Sequence, residues 1–243
     1  IGLLIALAWS VGAMRRRRLA VAIAVLLVVG GGALGAMQAS RWRSPERLFR
    51  HTLRVTSENA MAHLALANAL LDEGRHAEAV PHFEESLRIL PTIKGAHLGL
   101  GLALAEQGRL DEAMAQYRAE LRFDANNALA LSNLGNALLA SGRWEDAVAA
   151  YHRAIAAAPG FADAYVNLGA AHYQRGNYER AAAAFHEAVR LAPHDDVARV
   201  NLAAAYHKLG VLEQARAQCQ AALRLNPRNA KARRLLDELE VAH

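Results

Sequence analysis

The sequence contains a single cysteine, Cys219, among its 243 residues. One cysteine forms no internal disulfide and supplies too few thiolates for a metal cluster, so the fold relies on neither. The sequence also lacks a Ser/His/Asp set, paired carboxylates at a turn and a phosphate-binding glycine loop. We therefore expect no catalytic residue in this chain, no cofactor and no enzymatic activity of its own.

Basic residues are not in excess where a nucleic-acid surface would need them. The formal net charge is +5, but positions 1–58 hold nine arginines against Glu46 and Glu58. Positions 59–243 therefore carry 19 basic and 21 acidic groups. A nucleic-acid-binding surface needs clustered positive charge, so we expect no nucleic-acid partner.

Histidine is frequent, but its spacing does not indicate a metal site. The eleven histidines show no ligand-like spacing. His152 and His186 occupy the same position of two consecutive sequence repeats, which are described below, so these two belong to a repeat column. We expect no bound metal.

The N-terminal end contains two uncharged apolar stretches. Residues 1–14 are interpreted as the end of a truncated transmembrane helix, and residues 15–18 as a short basic loop of four arginines. Residues 19–39 carry no charge, and at 1.5 Å per residue they extend roughly 31 Å, the thickness of a bilayer core. This pattern predicts a transmembrane helix, with a signal peptide as the alternative.

The position of the four-arginine loop predicts an orientation. Short basic loops stay on the cytoplasmic side, so residues 19–39 run outward and the rest of the chain follows outside. The sequence thus predicts an integral membrane protein, bound to the lipid bilayer through residues 1–39. We expect the bacterial inner membrane, with the following domain periplasmic rather than cytoplasmic.

A short pattern recurs at a fixed interval in the remaining chain. It begins as GRHAEA at Gly74, returns at Gly108, Gly142 and Gly176, and ends as GVLEQA at Gly210. A fixed period of this length indicates a stacked repeat protein. We predict a linker and half-repeat helix at 40–58, a C-terminal capping helix at 229–243, and between them five full repeats at 59–92, 93–126, 127–160, 161–194 and 195–228, together 59–228.

Each repeat has the pattern of two helices joined by a glycine turn. Glycine ends the first helix because it adopts a left-handed conformation at low cost. An alanine follows five residues later, where the two helices are expected to cross. The second helix then carries an aromatic column, Phe49 in the half-repeat and afterwards Phe83, Tyr117, Tyr151 and Phe185, which ends with Cys219.

These columns resemble the tetratricopeptide repeat (TPR). The third repeat matches that family at Leu134, Gly135, Gly142, Ala147, Tyr151, Ala154 and Pro159. The first, second and fifth repeats each depart at one or two positions, with Ala67 for glycine, Glu120 for alanine and Cys219 for the aromatic residue. The resemblance covers residues 59–228 and implies an all-α, right-handed TPR superhelix of five helix-turn-helix repeats, a half-repeat and a capping helix. It also implies a concave groove lined by the first helices.

Asparagine recurs at one position of the first helices. Asn133, Asn167 and Asn201 form this column, and Asn68 and Asn136 share an adjacent one. Amides donate and accept hydrogen bonds, so such a row can pair with the backbone of an extended peptide. The column is similar to the asparagine ladder in the repeats of O-GlcNAc transferases. The alternative is that these asparagines pair locally between helices.

Apolar residues are expected to project towards the same face, so that the groove is mostly apolar with a stripe of amides. These residues are Leu98, Leu102, Leu129, Val166 and Tyr173. The family's other known mode, a clamp on a C-terminal carboxylate, uses lysine. Lysine occurs here only at positions 94, 208 and 231, so we do not expect that mode.

Two functions follow from this arrangement. The first is a membrane-anchored scaffold whose concave groove binds an extended peptide or a partner protein. The second comes from a resemblance of the whole arrangement to the C-terminal part of polytopic, O-mannosyltransferase-like glycosyltransferases that carry TPRs. In that case the repeats would present the acceptor protein to a catalytic part upstream of Ile1.

Overall fold

The computed structural model describes residues 45–56 and 58–241, and in these residues every regular element is a helix. The predicted all-α class is therefore confirmed. In chain order the helices are α1 Pro45–Val55, α2 Ala60–Asp72, α3 His76–Ile89, α4 Ala96–Glu106, α5 Leu110–Phe123, α6 Ala128–Ala140, α7 Trp144–Ala157, α8 Ala162–Gln174, α9 Tyr178–Leu191, α10 Asp196–Lys208, α11 Leu212–Leu225 and α12 Ala230–Val241.

The predicted localisation needs correction. No helix within residues 45–56 and 58–241 is long and apolar enough to cross a bilayer. The structure therefore gives no support to an integral membrane protein with its repeats outside, and we do not retain that prediction. The segments at 1–14, 15–18 and 19–39, on which it depended, lie outside the described residues.

Helix boundaries follow from side-chain caps and from glycine turns. Asn59, Asn127 and Asp195 begin three of the first helices, each accepting a hydrogen bond from a backbone N–H two or three residues further on. Gly142 ends one of them at a φ of +76°, which costs a residue with a Cβ roughly 1–2 kcal/mol. The corresponding glycine of each turn has a similar φ. The same turn conformation therefore recurs with the period of the sequence.

Consecutive helices pack antiparallel, and the array curves towards its first helices. The first helices α2, α4, α6, α8 and α10 contact one another in succession, and α10 also contacts α12. Comparable contacts between successive second helices are not formed in the described part of the chain. The surface formed by the first helices is therefore the inner, concave one.

A glycine on each of three first helices makes room for an aromatic ring on the second. A Cβ added to Gly101, Gly135 or Gly169 would lie 2.5–2.6 Å from a ring atom of Tyr117, Tyr151 or Phe185 respectively. Carbon atoms normally approach to about 3.5–4.0 Å. The Leu-Gly pair and the aromatic column are thus two halves of one packing arrangement.

The two repeats without that glycine use different solutions. In the fifth repeat, Ala203 faces the smaller Cys219, and both are fully buried in one cluster. In the first repeat, Ala67 occupies the position, and Phe83 packs instead against Gly99 of the next repeat. The third departure, Glu120, is buried and accepts a 3.3 Å hydrogen bond from Asn127.

Both ends of the array are covered by single helices. Phe49 and Leu53 of α1 pack on the core of the first repeats. Arg75, in the first turn between α2 and α3, lies 3.0 Å from Glu46 of α1. At the other end, Leu239 of α12 is fully buried beside Cys219. The half-repeat and capping helix therefore cover the apolar ends of the array.

Candidate functional site

The candidate site is the concave groove, which we define as the inner surface of α2, α4, α6, α8 and α10. The structure places every predicted site residue on one of these helices: Asn68 on α2, Leu98 and Leu102 on α4, Leu129, Asn133 and Asn136 on α6, Val166, Asn167 and Tyr173 on α8, and Asn201 on α10. Residues 129, 133 and 136 have i, i+4, i+7 spacing, so they share one face of α6.

The three asparagines of the main column have different surroundings. Each is half-buried. Asn167 donates a 3.0 Å hydrogen bond to Ser132 Oγ on the neighbouring first helix, so this amide joins two repeats. Asn133 Nδ2 is fully buried and has no partner among the described residues. Asn201 instead lines a hollow in the groove, described below. One asparagine of this column therefore joins neighbouring repeats, and another, Asn201, is accessible to a ligand in the groove.

The second asparagine column is more open. Asn68 and Asn136 are both exposed. Asn136 Oδ1 accepts a 2.7 Å hydrogen bond from the buried Tyr151 hydroxyl, which leaves the amide nitrogen of Asn136 as its donor to the groove. Burial raises the pKa of Tyr151 far above its usual range, so the phenol stays protonated as the donor in this bond.

The predicted apolar residues divide into two groups. Leu98, Leu102, Val166 and Tyr173 are half-buried and pack on the core. Leu129 has an exposed fraction of 46%, which is large for a leucine in a packed helix array. Of these five residues, Leu129 has the largest exposed fraction and is the most accessible to a ligand.

Sequence reasoning missed two residues of this surface. Met61 on α2 and Val197 on α10 are 63% and 56% exposed. They lie two repeats before and two repeats after Leu129, so all three occupy the same repeat position. That register was the available signal. The first, third and fifth repeats thus expose an apolar side chain one helical turn from the asparagine column, while the second and fourth have Gly95 and the exposed Asp163 at that position. We call these three apolar residues the apolar column.

A hollow of about 190 Å³ opens in the groove between α8 and α10. Tyr173 and Asn201, both predicted site residues, line it together with Phe185. Tyr173 is held by an edge-on contact with Tyr178, with ring centroids 5.2 Å apart. The hollow therefore combines an aromatic wall with an amide, the pair of features that binds an apolar side chain next to a peptide bond.

Metal-binding groups do not gather in the groove. Within residues 45–56 and 58–241, no three His, Cys, Asp or Glu side chains are placed to share an ion. Two imidazoles do approach each other, since His63 and His82 have Nδ1 atoms 3.1 Å apart. Burial, followed by the neighbouring His63, lowers the pKa of His82, which favours its neutral form near pH 7.

Comparison with family models decides the classification. A model described as tetratricopeptide repeat matches residues 32–92 and 132–196, and a second with that description matches 172–239. A model described as TPR repeat matches 101–142. The chain belongs to the tetratricopeptide repeat family. This confirms the resemblance predicted from the repeat columns.

Solved structures agree with the TPR superhelix at low sequence identity. The structure of the APC/C hetero-tetramer Cut9-Hcn1 is 19% identical with a TM-score of 0.69, covering 80% of this chain and 39% of that one. Pseudomonas aeruginosa pilF is 23% identical, with a TM-score of 0.68 and coverages of 75% and 83%. YrrB, described as a TPR protein with an unusual peptide-binding site, is 19% identical, with a TM-score of 0.57 and coverages of 76% and 96%.

These structural similarities support the fold and do not identify a binding partner. No curated protein matches the sequence. Neither the TPR family matches nor the structures named above support the glycosyltransferase resemblance, which remains a prediction.

Proposed function

We propose that this TPR protein is an interaction scaffold that binds an extended polypeptide along its concave groove. One observation carries the proposal: Met61, Leu129 and Val197 expose apolar side chains at the same position of three first helices. Exposed apolar side chains that line up on one concave surface are typical of a binding site.

The amides beside this column supply the second requirement of a peptide site. An extended peptide brings a carbonyl and an N–H with every residue, and each needs a partner once it leaves water. Asn68, Asn136 and Asn201 retain donors or acceptors towards the groove, whereas the amide nitrogen of Asn133 is buried and does not reach the groove surface. Amides pair with any peptide backbone, so the apolar column would select the side chains.

The ligand that fits best is an extended segment with apolar residues at intervals. Met61, Leu129 and Val197 are apolar, whereas the same position holds Gly95 in the second repeat and the exposed Asp163 in the fourth. The 190 Å³ hollow between Tyr173 and Asn201 is of a size for one apolar side chain. The description of YrrB as a TPR protein with a peptide-binding site is a precedent within the same fold. The repeats would then hold a partner in place, with any chemistry belonging to that partner.

The experiment starts from peptides selected on the full chain from a display library of short random sequences. Binding of the selected peptides is measured by fluorescence anisotropy for wild type and for Leu129→Glu. We expect Leu129→Glu to weaken binding at least tenfold, because it places a charge in the apolar column. The matched control is Leu225→Glu, since Leu225 is 40% exposed but lies on the second helix α11.

A triple variant, Asn133→Ala, Asn167→Ala and Asn201→Ala, tests the amides separately. We expect weaker peptide binding with a nearly unchanged midpoint of thermal unfolding, because loss of the Asn167 hydrogen bond is offset by removal of the unpaired Asn133 donor. Equal binding by Leu129→Glu and Leu225→Glu would contradict the groove as the site. A large loss of stability in the triple variant would show that the asparagines are structural.

A further inference from the structure

A second cavity lies on the opposite side of the array from the groove. It measures about 410 Å³ and opens between the second helices α7 and α9, with α8 as its floor. Its volume is within the usual range for small-molecule sites, about 300–1,000 Å³. Val148, Leu168 and Ala183 make it apolar inside, while Trp144 and Tyr165 provide aromatic walls.

Beside the cavity the fourth repeat lacks a polar pair that the first, second and fifth repeats have; the third repeat, with Leu131 and Ala150, lacks it as well. In the first, second and fifth repeats a side chain of the first helix meets one of the second helix: His63 with His82 at 3.1 Å, His97 with Gln116 at 2.7 Å and Arg199 with Gln218 at 3.1 Å. The corresponding residues of the fourth repeat are Tyr165 and Ala184. Alanine is too short to meet the phenol, and the space between them stays open.

A buried histidine is the second departure at this cavity. His172 lines it and is only 5% exposed, and its Nδ1 has no hydrogen-bond partner among the described residues. The same position holds leucine in three other repeats, at Leu70, Leu104 and Leu138. An unpaired buried polar group is unfavourable, so histidine here is worse for the packing than the leucine of its neighbours. Burial lowers the pKa of His172, and Arg180 and His152 lower it further, which favours the neutral imidazole.

The third departure is a reversal of charge at the cavity mouth. Arg180 lines the cavity where the first three repeats carry an acid that pairs with an arginine of the turn, as Glu112 does with Arg109 at 2.6 Å. No carboxylate within residues 45–56 and 58–241 forms an ion pair with Arg180. Glu187 also lines the cavity, and its carboxylate is paired with Arg190 at 2.8 Å.

The aromatic wall of the cavity is held in place in advance. Trp144 Nε1 donates a 3.0 Å hydrogen bond to the carbonyl of Ala171. Arg175 lies 5.2 Å over the indole, and the ring of His172 meets it edge-on at 5.7 Å. A ring entering the cavity would therefore meet a wall that needs no ordering on binding.

We propose that this cavity, defined by Trp144, Tyr165, His172, Arg180 and Ala184, binds a small aromatic carboxylate. The ring of the ligand packs against Trp144 and Tyr165 over the apolar floor, because aromatic rings favour edge-on and offset contacts with each other. Its carboxylate pairs with Arg180, which has no ion-pair partner in the described part of the chain. The ring of His172, which meets Trp144 edge-on, forms part of the wall beside the ligand. The site is separate from the groove and does not depend on the function proposed for it.

The test uses indole-3-acetate as the probe and the full chain, with binding measured by calorimetry. Three variants each restore the residue found in other repeats: Ala184→Gln fills the cavity, His172→Leu removes the imidazole and Arg180→Glu reverses the charge. We expect Ala184→Gln to abolish binding, Arg180→Glu to weaken it at least tenfold, and His172→Leu to weaken it through the lost ring contact. Ala217→Gln, at an exposed alanine on α11, is the matched control and should bind like wild type.

Two comparisons separate the parts of the proposal. Indole-3-acetamide lacks the negative charge, so Arg180→Glu should affect it far less than indole-3-acetate. His172→Leu should raise the midpoint of thermal unfolding while it weakens binding, which rules out unfolding as the cause. The proposal is overturned if wild type does not bind indole-3-acetate, or if Ala184→Gln binds it equally well. It is also overturned if only a blocked tryptophan-containing peptide binds the cavity, since the ligand would then be a protein side chain.

Discussion

Replacing Cys219 by phenylalanine restores the aromatic column of the other repeats, yet we expect it to destabilise the protein. The reason is Ala203, which stands where the second, third and fourth repeats have glycine. In those repeats a Cβ on the glycine would come within 2.5–2.6 Å of the ring. The fifth repeat has the Cβ and a smaller partner, so a phenyl ring at position 219 would meet a methyl group about 1 Å too close.

The first repeat avoids this clash in a way that the fifth repeat does not share. Phe83 packs closely against Gly99 of the next repeat, where no Cβ stands in its way. The residue corresponding to Gly99 after the fifth repeat is Leu235, which packs on the Cys219 cluster. We therefore expect Cys219→Phe to cost about 1–3 kcal/mol through overpacking. Ala203→Gly alone should cost roughly 0.5–1 kcal/mol, because it places glycine within a helix.

The double variant decides whether the two positions are coupled. With glycine at 203 the ring has its usual space, so the double variant should be more stable than the sum of the single changes predicts, by about 1–3 kcal/mol. Urea unfolding of wild type, both single variants and the double variant, followed by circular dichroism, measures this coupling free energy. Additivity within about 0.5 kcal/mol would refute the packing argument.

Three further changes test separate features. Gly142→Ala should destabilise by roughly 1–2 kcal/mol because φ is +76°, whereas Gly160→Ala, at an open position without a positive φ, should be nearly neutral in the same urea titration. Asn167→Ala should lower the free energy of unfolding by about 1 kcal/mol through its lost hydrogen bond, while Asn133→Ala should leave it unchanged or raise it. Burial raises the pKa of Cys219 to about 11, so its ultraviolet thiolate absorbance should appear near pH 11 rather than near 9.0, the ordinary value of a cysteine thiol.

The direction of the cysteine effect on stability follows from that pKa. Above pH 9 the thiol of the unfolded chain loses its proton, whereas the folded thiol keeps it until about pH 11. The folded state then binds more protons, so the contribution of Cys219 is full below pH 9 and is lost as the pH rises towards 11. Cys219→Ala, which has no ionisable group, should show a smaller fall in stability over this range. An identical fall in both proteins would contradict a buried thiol.

The repeat architecture was predictable because the geometry at each key position of the repeat favours one residue type. Only glycine adopts the positive φ of the turns without strain, so Gly74 and its counterparts recur at a fixed interval. Alanine at helix crossings recurs for a similar reason, as Ala147 is fully buried. The helix pairs, the turns and the concave face could therefore be predicted from the fixed period of the sequence.

Details that depend on several residues at once were not predictable from the columns. The displacement of Phe83 onto Gly99 needs the backbone of two repeats, and the hydrogen bond between Asn167 and Ser132 needs the distance between two first helices. Met61 and Val197 were missed because an exposed apolar side chain looks, in sequence, like a core residue. We did not predict the outer cavity because it lies beside the short side chain of Ala184. A small residue at one position of a repeat is not a recognisable sequence motif.

Adjacent residues of α8 face opposite surfaces of the protein. His172 lines the outer cavity, and Tyr173 lines the inner hollow beside Asn201. The array is thus one helix thick between the two spaces, and a rotation of α8 of a few degrees would reshape both. Thermodynamic reciprocity then applies to this helix: if filling one space alters affinity at the other, the effect in the reverse direction has the same size.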